Sequence, residues 1–304
     1  LNLEIGCDGC ELWNPKAGVK HCYAGVMTAK YGGRNGWPNT FAEPKVFADR
    51  LDKALDWPGL AGKDRAAKPW LNGLPRMIFL NDMGDTFTES LPLDWLAEFL
   101  PLLAESQHIW MILTKRGRRM RKFSERHPFP ENVWPGVSVT TQETVSRVAE
   151  LMGVQGGGVR WVSAEPLLGG IVMSGTRPND GLKREWLGKD GISLVIVGGE
   201  SGAGARSCDV YWISSLIRQC RESRTSCFVK QLGASPFVTN RTDFPPWPDG
   251  AKFTIMSTDE PQVYPRQLVK LKDSKGGAMS EWPEDLRVRE FPRKEIESAA
   301  TTAT

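Results

Sequence analysis

Short, almost wholly apolar runs recur along the chain, each followed by a polar cluster and then by a stretch of helical period. The runs fall at residues 76–80, 109–113, 133–139, 159–163, 194–197 and 227–230. Continuous apolarity over so few residues suits a strand covered on both faces, as in a parallel sheet. Between them, residues 42–57 place Val46, Phe47, Leu51, Ala54 and Leu55 at helical spacing before Pro58. Residues 23–31, 93–104, 142–152 and 210–221 also read as helices, and a basic helix runs to about Arg126. Strand–helix alternation predicts a parallel sheet of β-α units. About seven strands are expected, counting a first one at residues 1–5. That one is expected to be cut short, because the chain opens at Leu1 and not at methionine. No Gly-x-Gly-x-x-Gly follows the first strand, which disfavours a dinucleotide fold. The pattern fits an α/β architecture, a full or partial β/α (TIM-like) barrel, over residues 1–235. Residues 236–304 read as an irregular extension rich in Pro and Gly turns, with a disordered end at 297–304.

Composition narrows the class. The chain has 304 residues and is 40% hydrophobic, enough for one large barrel. No apolar run approaches the roughly 18 residues of a membrane span, and no signal-peptide pattern is present, so a cytoplasmic protein without a membrane partner is expected. A net charge of +3 permits nucleic acid without requiring it. Lys115, Arg116, Arg118, Arg119, Arg121 and Lys122 form one dense basic run. Such a run either tracks a phosphate backbone or is a solvated helix face. Six cysteines do not make a disulfide scaffold in a chain this long, and Cys208, Cys220 and Cys227 read as buried thiols.

The other three cysteines sit close together. Cys7 and Cys10 have the C-x-x-C spacing, which lets two sulfurs of one tight turn face the same ion or cluster. Gly6 and Gly9 supply the backbone freedom of that turn. Cys22 closes the site across a loop containing Trp13-Asn14-Pro15. Three readings follow: an iron–sulfur cluster with one open iron, zinc with His21 as fourth ligand, or ordinary cysteines. In a β/α barrel the chemistry lies at the C-terminal strand ends. Cys7, Asp82, Asp85, Lys115, Ser138, Glu165 and Glu200 all fall at predicted strand ends, which points to one shared site.

Several motifs carry a resemblance. They are Cys22-Tyr23-Ala24, Leu113-Thr114-Lys115-Arg116, Gly136-Val137-Ser138-Val139, Glu165-Pro166-Leu167-Leu168-Gly169 and Val197-Gly198-Gly199-Glu200-Ser201-Gly202, with Ser280-Glu281-Trp282-Pro283 near the end. The chain resembles the phage Gp37/Gp68 family, a domain of unknown function with a three-cysteine motif. That family is similar to radical S-adenosylmethionine enzymes, most to the spore photoproduct lyase branch. The resemblance implies a four-iron four-sulfur (4Fe-4S) cluster on Cys7, Cys10 and Cys22 and S-adenosyl-L-methionine on the free iron. It implies a 5′-deoxyadenosyl radical that abstracts hydrogen from a substrate, a nucleobase or nucleic acid. An alternative is a non-catalytic iron–sulfur or zinc protein of a phage or mobile element that acts with a partner protein. The spacing departs from the common C-x3-C-x2-C of radical enzymes, and Gly198-Gly199-Glu200 lies on a late strand rather than the second.

Under that resemblance each strand-end residue has a role and a plainer alternative. Lys115 pairs with the cofactor carboxylate or ribose, or is a surface charge. Ser138 and Thr140 hydrogen-bond the same carboxylate, or cap the next helix. Asp82 and Asp85 bind the amino group or substrate, or serve a turn around Gly84. Glu165 binds ribose hydroxyls, or forms a salt bridge. Gly198 and Gly199 allow close backbone approach of a ligand with Glu200 as a polar contact, or simply form a tight turn.

Overall fold

Six apolar runs become six strands that pair in chain order. The computed structural model describes residues 1–176, 183–202, 204–239, 246–255 and 266–293. Met77–Leu80 pairs with Ile109–Thr114, then follow Val133–Ser138, Trp161–Ala164, Leu194–Gly198 and Ser226–Gln231, every pair parallel. The sheet curls into a half-barrel, and among the described residues no full barrel closes.

Alternation along the edge strands shows how the two faces differ. In the first barrel strand Ile78 and Leu80 are buried, whereas Met77 and Phe79 are half-buried. In the sixth, Cys227 and Val229 are buried, whereas Phe228 is half-buried and Lys230 exposed. Successive side chains of a strand point to opposite faces. One set meets the helices and the other faces the hollow of the half-barrel. On the helix side Met120 and Phe123 of Gly117–Ser124, Val148 and Leu151 of Ser146–Leu151, and Ile213 and Leu216 of Val210–Glu222 share one core with Trp110, Ile112, Val137 and Val195.

Element boundaries shift where a competing contact wins. The helix expected over 42–57 is confined to Asp49–Leu55, because Lys45–Val46 pairs antiparallel with Glu4–Ile5. That over 93–104 opens as a 3-10 turn at Ala97–Phe99 and is α-helical only at Leu100–Glu105. Pro101 lies in its first turn, where a missing N–H is tolerated. That over 142–152 opens as the 3-10 turn Gln142–Thr144, held by a capping box from Thr141 and Thr144, before Ser146–Leu151. After the fourth strand the crossover carries an antiparallel pair, Ser174–Thr176 with Lys183–Glu185.

Both edges of the half-barrel are covered. Residues 1–6 run beside the first strand: Asn81 N–H donates to Leu1 O at 2.7 Å, and Gly6 N–H to Met83 O at 3.2 Å. The shortened first strand expected here is not a strand of the six-stranded sheet: Glu4–Ile5 pairs with Lys45–Val46, and Gly6 makes a single parallel bridge to Gly84. At the other edge Val229 N–H donates to Val288 O and Glu290 N–H to Cys227 O, both at 2.8 Å. Arg289 stacks on Trp70 at 4.7 Å and on Phe228 at 5.3 Å, so the loop before the first strand reaches the sixth. Cys208–Asp209, Pro236–Thr239, Arg266–Lys270 and Lys252–Ile255 form a separate four-stranded sheet. Residues 297–304 lie outside the described residues. No described helix is long and apolar enough to cross a membrane.

Candidate functional site

The eleven residues between Cys10 and Cys22 are a spacer that folds back on itself. Trp13–Asn14 pairs antiparallel with Val19–Lys20, and Gly18 ends the turn between them at φ +77°. Cys10 N–H donates to Trp13 O, and Trp13 N–H to Cys10 O, both at 3.0 Å. Leu12 O accepts from His21 N–H at 2.9 Å and Cys22 N–H at 2.8 Å. The hairpin thus returns Cys22 to the side of Cys10, where it precedes the helix Tyr23–Tyr31. Gly9 has φ +104°, and a Cβ there would lie 2.4 Å from Trp13 O, so no other residue fits this turn.

Donors converge on two of the sulfurs. Gly9 N–H points at Cys7 Sγ and Leu12 N–H at Cys10 Sγ, each at 3.4 Å. Arg116 Nη1 also points at Cys7 Sγ at 3.4 Å. Burial pushes the Cys7 thiol up to about 12, Asp85 adds to the rise, and Arg116 opposes it. Burial likewise raises Cys10, against Lys115. A bound cation supplies the charge that turns such thiols into thiolates, and the donors already in place are those a thiolate accepts. Among the described residues no three His, Cys, Asp or Glu side chains are spaced to hold a single ion.

The turn is clamped from both flanks. The Asp8 carboxylate accepts from the hydroxyls of Thr88 and Ser90 and from Ser90 N–H at 3.0 Å. Burial alone would raise Asp8, but these bonds hold it below its ordinary value. Glu11 receives a forked pair from Arg147 at 3.0 and 2.8 Å, and Thr140 donates to it at 3.4 Å. Arg116, 14% exposed, spans the middle: it donates to Gly9 O and to Asp85 Oδ2, both at 2.9 Å. Asp85 is fixed in turn by Thr114 Oγ1 at 2.6 Å and by the N–H groups of Phe87 and Lys115 at 3.0 Å.

One cavity of about 940 Å³ gathers most of the strand-end residues. Cys7, Cys10 and Cys22 line it together with Asp82, Asp85, Lys115, Ser138, Glu165, Gly199 and Glu200. Lys115 Nζ donates to Ser138 Oγ at 2.9 Å. Glu165 faces Lys230 at 3.4 Å; burial raises its carboxyl, with Lys230 opposing. Asp82 accepts from Tyr23 Oη at 2.9 Å. Glu200 is held by Arg206 at 2.8 Å, and these bonds outweigh burial to keep it below its ordinary value. Thr140 and Gly198 are not part of the lining. Thr140 is fully buried and supports Glu11, and Gly198 is buried where a Cβ would sit 2.6 Å from a Glu165 carboxylate oxygen.

Most of the basic run is engaged within the molecule. Besides Lys115 and Arg116, Arg119 pairs with Glu89 at 2.7 Å and Arg121 with Glu150 at 3.0 Å. Arg118 and Lys122 are the exposed cations of the run.

Sequence reasoning missed Glu4, Asp8, Glu11 and Arg147 as parts of this site. Asp8 and Glu11 were within reach, because acids flanking a C-x-x-C turn are placed to be tied down. Glu4 had no such signal. It is 0% exposed, packs against Gly84, and neither carboxyl oxygen has a hydrogen-bond partner among the described residues. Burial, then Asp85, holds its pKa well above the ordinary value, with Arg116 opposing. The folded state therefore keeps a proton that the unfolded state loses, and the stabilisation present below the unfolded pKa fades as pH rises above it. Glu4→Gln is expected to remove that decline, and to be more stable than the parent at neutral pH by about 1 kcal/mol or more. Urea midpoints of both proteins from mildly acidic to neutral pH check it, and parallel profiles would show Glu4 ionised in the fold.

No curated protein and no solved structure matches the chain. A family model described as a protein of unknown function (DUF5131) matches residues 5–276, and the chain belongs to that family.

Proposed function

We propose that this chain is an iron–sulfur enzyme of the radical S-adenosylmethionine type, in which Cys7, Cys10 and Cys22 hold a 4Fe-4S cluster. The observation that supports it most is the convergence of all three cysteines and of the ends of the barrel strands on one cavity. The resemblance to the phage Gp37/Gp68 family and the spore photoproduct lyase branch points the same way. When bound, these groups supply one-electron cleavage of the sulfonium and hydrogen abstraction from a substrate. The chain's own part is to place and enclose them. The Lys115 ammonium beside the Ser138 hydroxyl offers a charge and a donor to a carboxylate. Asp82 and Glu165 offer acceptors to amino and hydroxyl groups. Phe79, Trp161, Ile196 and Phe228 wall the rest of the cavity and limit water. The substrate is a nucleobase or nucleic acid on this reading, and the protein acts in the cytoplasm.

The cavity volume lies near the top of the range for small-molecule sites, leaving room for cofactor and substrate together. Anaerobic reconstitution with iron, sulfide, dithionite and S-adenosylmethionine tests the proposal, with 5′-deoxyadenosine as the expected product. A cluster without that product would favour the non-catalytic binding protein. Iron–thiolate absorption separates either from zinc, which is spectroscopically silent. Cys22→Ala is expected to abolish the iron and its visible absorption, whereas Cys220→Ala, changed in the helix Val210–Glu222, keeps both. Equal iron in the two variants would remove Cys22 from the ligand set.

A further inference from the structure

We infer that Arg116 sets the reduction potential of the cluster through its contact with Cys7 Sγ, an inference that rests on the cluster reading above. Arg116 is the only side-chain cation recorded within hydrogen-bond reach of a trio sulfur among the described residues. Its position is over-determined. Nη2 donates to Gly9 O inside the C-x-x-C turn, and Nη1 is shared between Cys7 Sγ and Asp85 Oδ2. Asp85 is in turn pinned by Thr114 and two backbone N–H groups, so the guanidinium cannot swing away without leaving a buried carboxylate unpaired.

Reduction adds negative charge to a cluster, and a fixed cation on one of its sulfurs favours the reduced state. Two acids oppose it. Asp8 stands 3.8 Å from Arg116 on the Nη2 side, and the Asp85 charge also acts on Cys7 against the guanidinium. Of these charged groups Arg116 alone bonds the sulfur, so its removal takes away both a positive charge and a hydrogen bond. The site is mostly buried, which keeps screening weak. Arg147 provides the contrast. It braces the same cysteine turn through Glu11 and Ser138 O but has no recorded contact with a sulfur.

The experiment is a redox titration of the reconstituted full chain, monitored by visible absorption, for the parent, Arg116→Gln, Arg116→Lys and Arg147→Gln. Arg116→Gln is expected to lower the reduction equilibrium constant at least about tenfold, which is 59 mV for one electron. Arg116→Lys keeps the charge without the fork and falls between. Arg147→Gln loosens the turn and weakens iron retention, but shifts the equilibrium less than about twofold. Equal shifts in the Gln variants at 116 and 147 would overturn the inference, because a slack turn would then account for both. An unchanged potential in Arg116→Gln would also overturn it. If Arg116→Gln takes up no iron, the Arg116→Lys and Arg147→Gln pair decides by the same comparison. A parent chain that binds no iron defeats the cluster reading and this inference with it, whereas a normal cluster with unmoved potentials defeats the inference alone.

Discussion

Replacing Gly136 by alanine is expected to destabilise the protein by about 3 kcal/mol or more, at the upper end of what overpacking costs. Gly136 lies in the third barrel strand directly opposite Trp161 of the fourth. A Cβ there would come within 2.4 Å of indole Cε2 and 2.5 Å of Nε1. The indole cannot easily yield. Its N–H donates to Trp134 O at 2.9 Å, its ring meets Phe79 edge-on at 5.9 Å, and it is 1% exposed. Moving it breaks the hydrogen bond and leaves a buried donor without a partner, a further cost of about 1–3 kcal/mol. Urea denaturation checks this, with an unchanged m-value identifying a native-state effect. Adding Trp161→Leu to Gly136→Ala is expected to recover part of the loss, since the two residues compete for one volume. A cost under about 1 kcal/mol for Gly136→Ala would mean that the indole does not lie across the glycine. Trp161 also walls the cavity, so its placement bears on the site as well as on the core.

The same residues show what was legible beforehand. Apolar runs gave the strands because period and length are local properties, and the polar residues ending them mapped onto one cavity because parallel strands place like ends together. Cys7, Cys10 and Cys22 reach the same cavity for a related reason: Asn14-Pro15 and Gly18 encode the turn of the hairpin between them. What stayed hidden depends on pairs distant in sequence. Asp8 with Ser90, Cys7 with Arg116 and Glu11 with Arg147 join residues that no spacing rule connects. Thr140 likewise donates to Glu11 of the cysteine loop, a contact no spacing announces. The basic run depends on distant pairs as well. Composition displays Arg116, Arg119 and Arg121 as a charged stripe, yet each faces an acid contributed by another segment.

Those distant pairs make the second large effect. Asp8→Ala removes the three carboxylate bonds that tie the front of the cysteine turn to Thr88 and Ser90, and leaves only the backbone N–H of residue 8 on Thr88 Oγ1. Residues that orient metal ligands typically control about 10–100-fold in metal affinity, and Asp8→Ala is expected to lose iron by that factor. The cost to the fold should be smaller, about 1–3 kcal/mol, as for other hydrogen bonds to a charged group. The turn keeps its remaining anchors, Cys7 N–H on Phe41 O and the Cys10–Trp13 pair, so the chain still folds. Glu11→Ala frees the other flank by releasing Arg147 and Thr140, and is expected to act alike. Either clamp alone leaves the turn half-fixed, so the double variant should lose more iron than each single one. Iron retention under an anaerobic chelator, read beside the denaturation midpoint of the iron-free protein, separates the two costs. Amide exchange at Gly9 and Leu12, whose N–H groups point at the sulfurs, reports the slackened turn directly. Parent-like iron retention in Asp8→Ala would show that the cysteines hold their positions without the clamp, and the orientation of the site would then have to come from the hairpin alone.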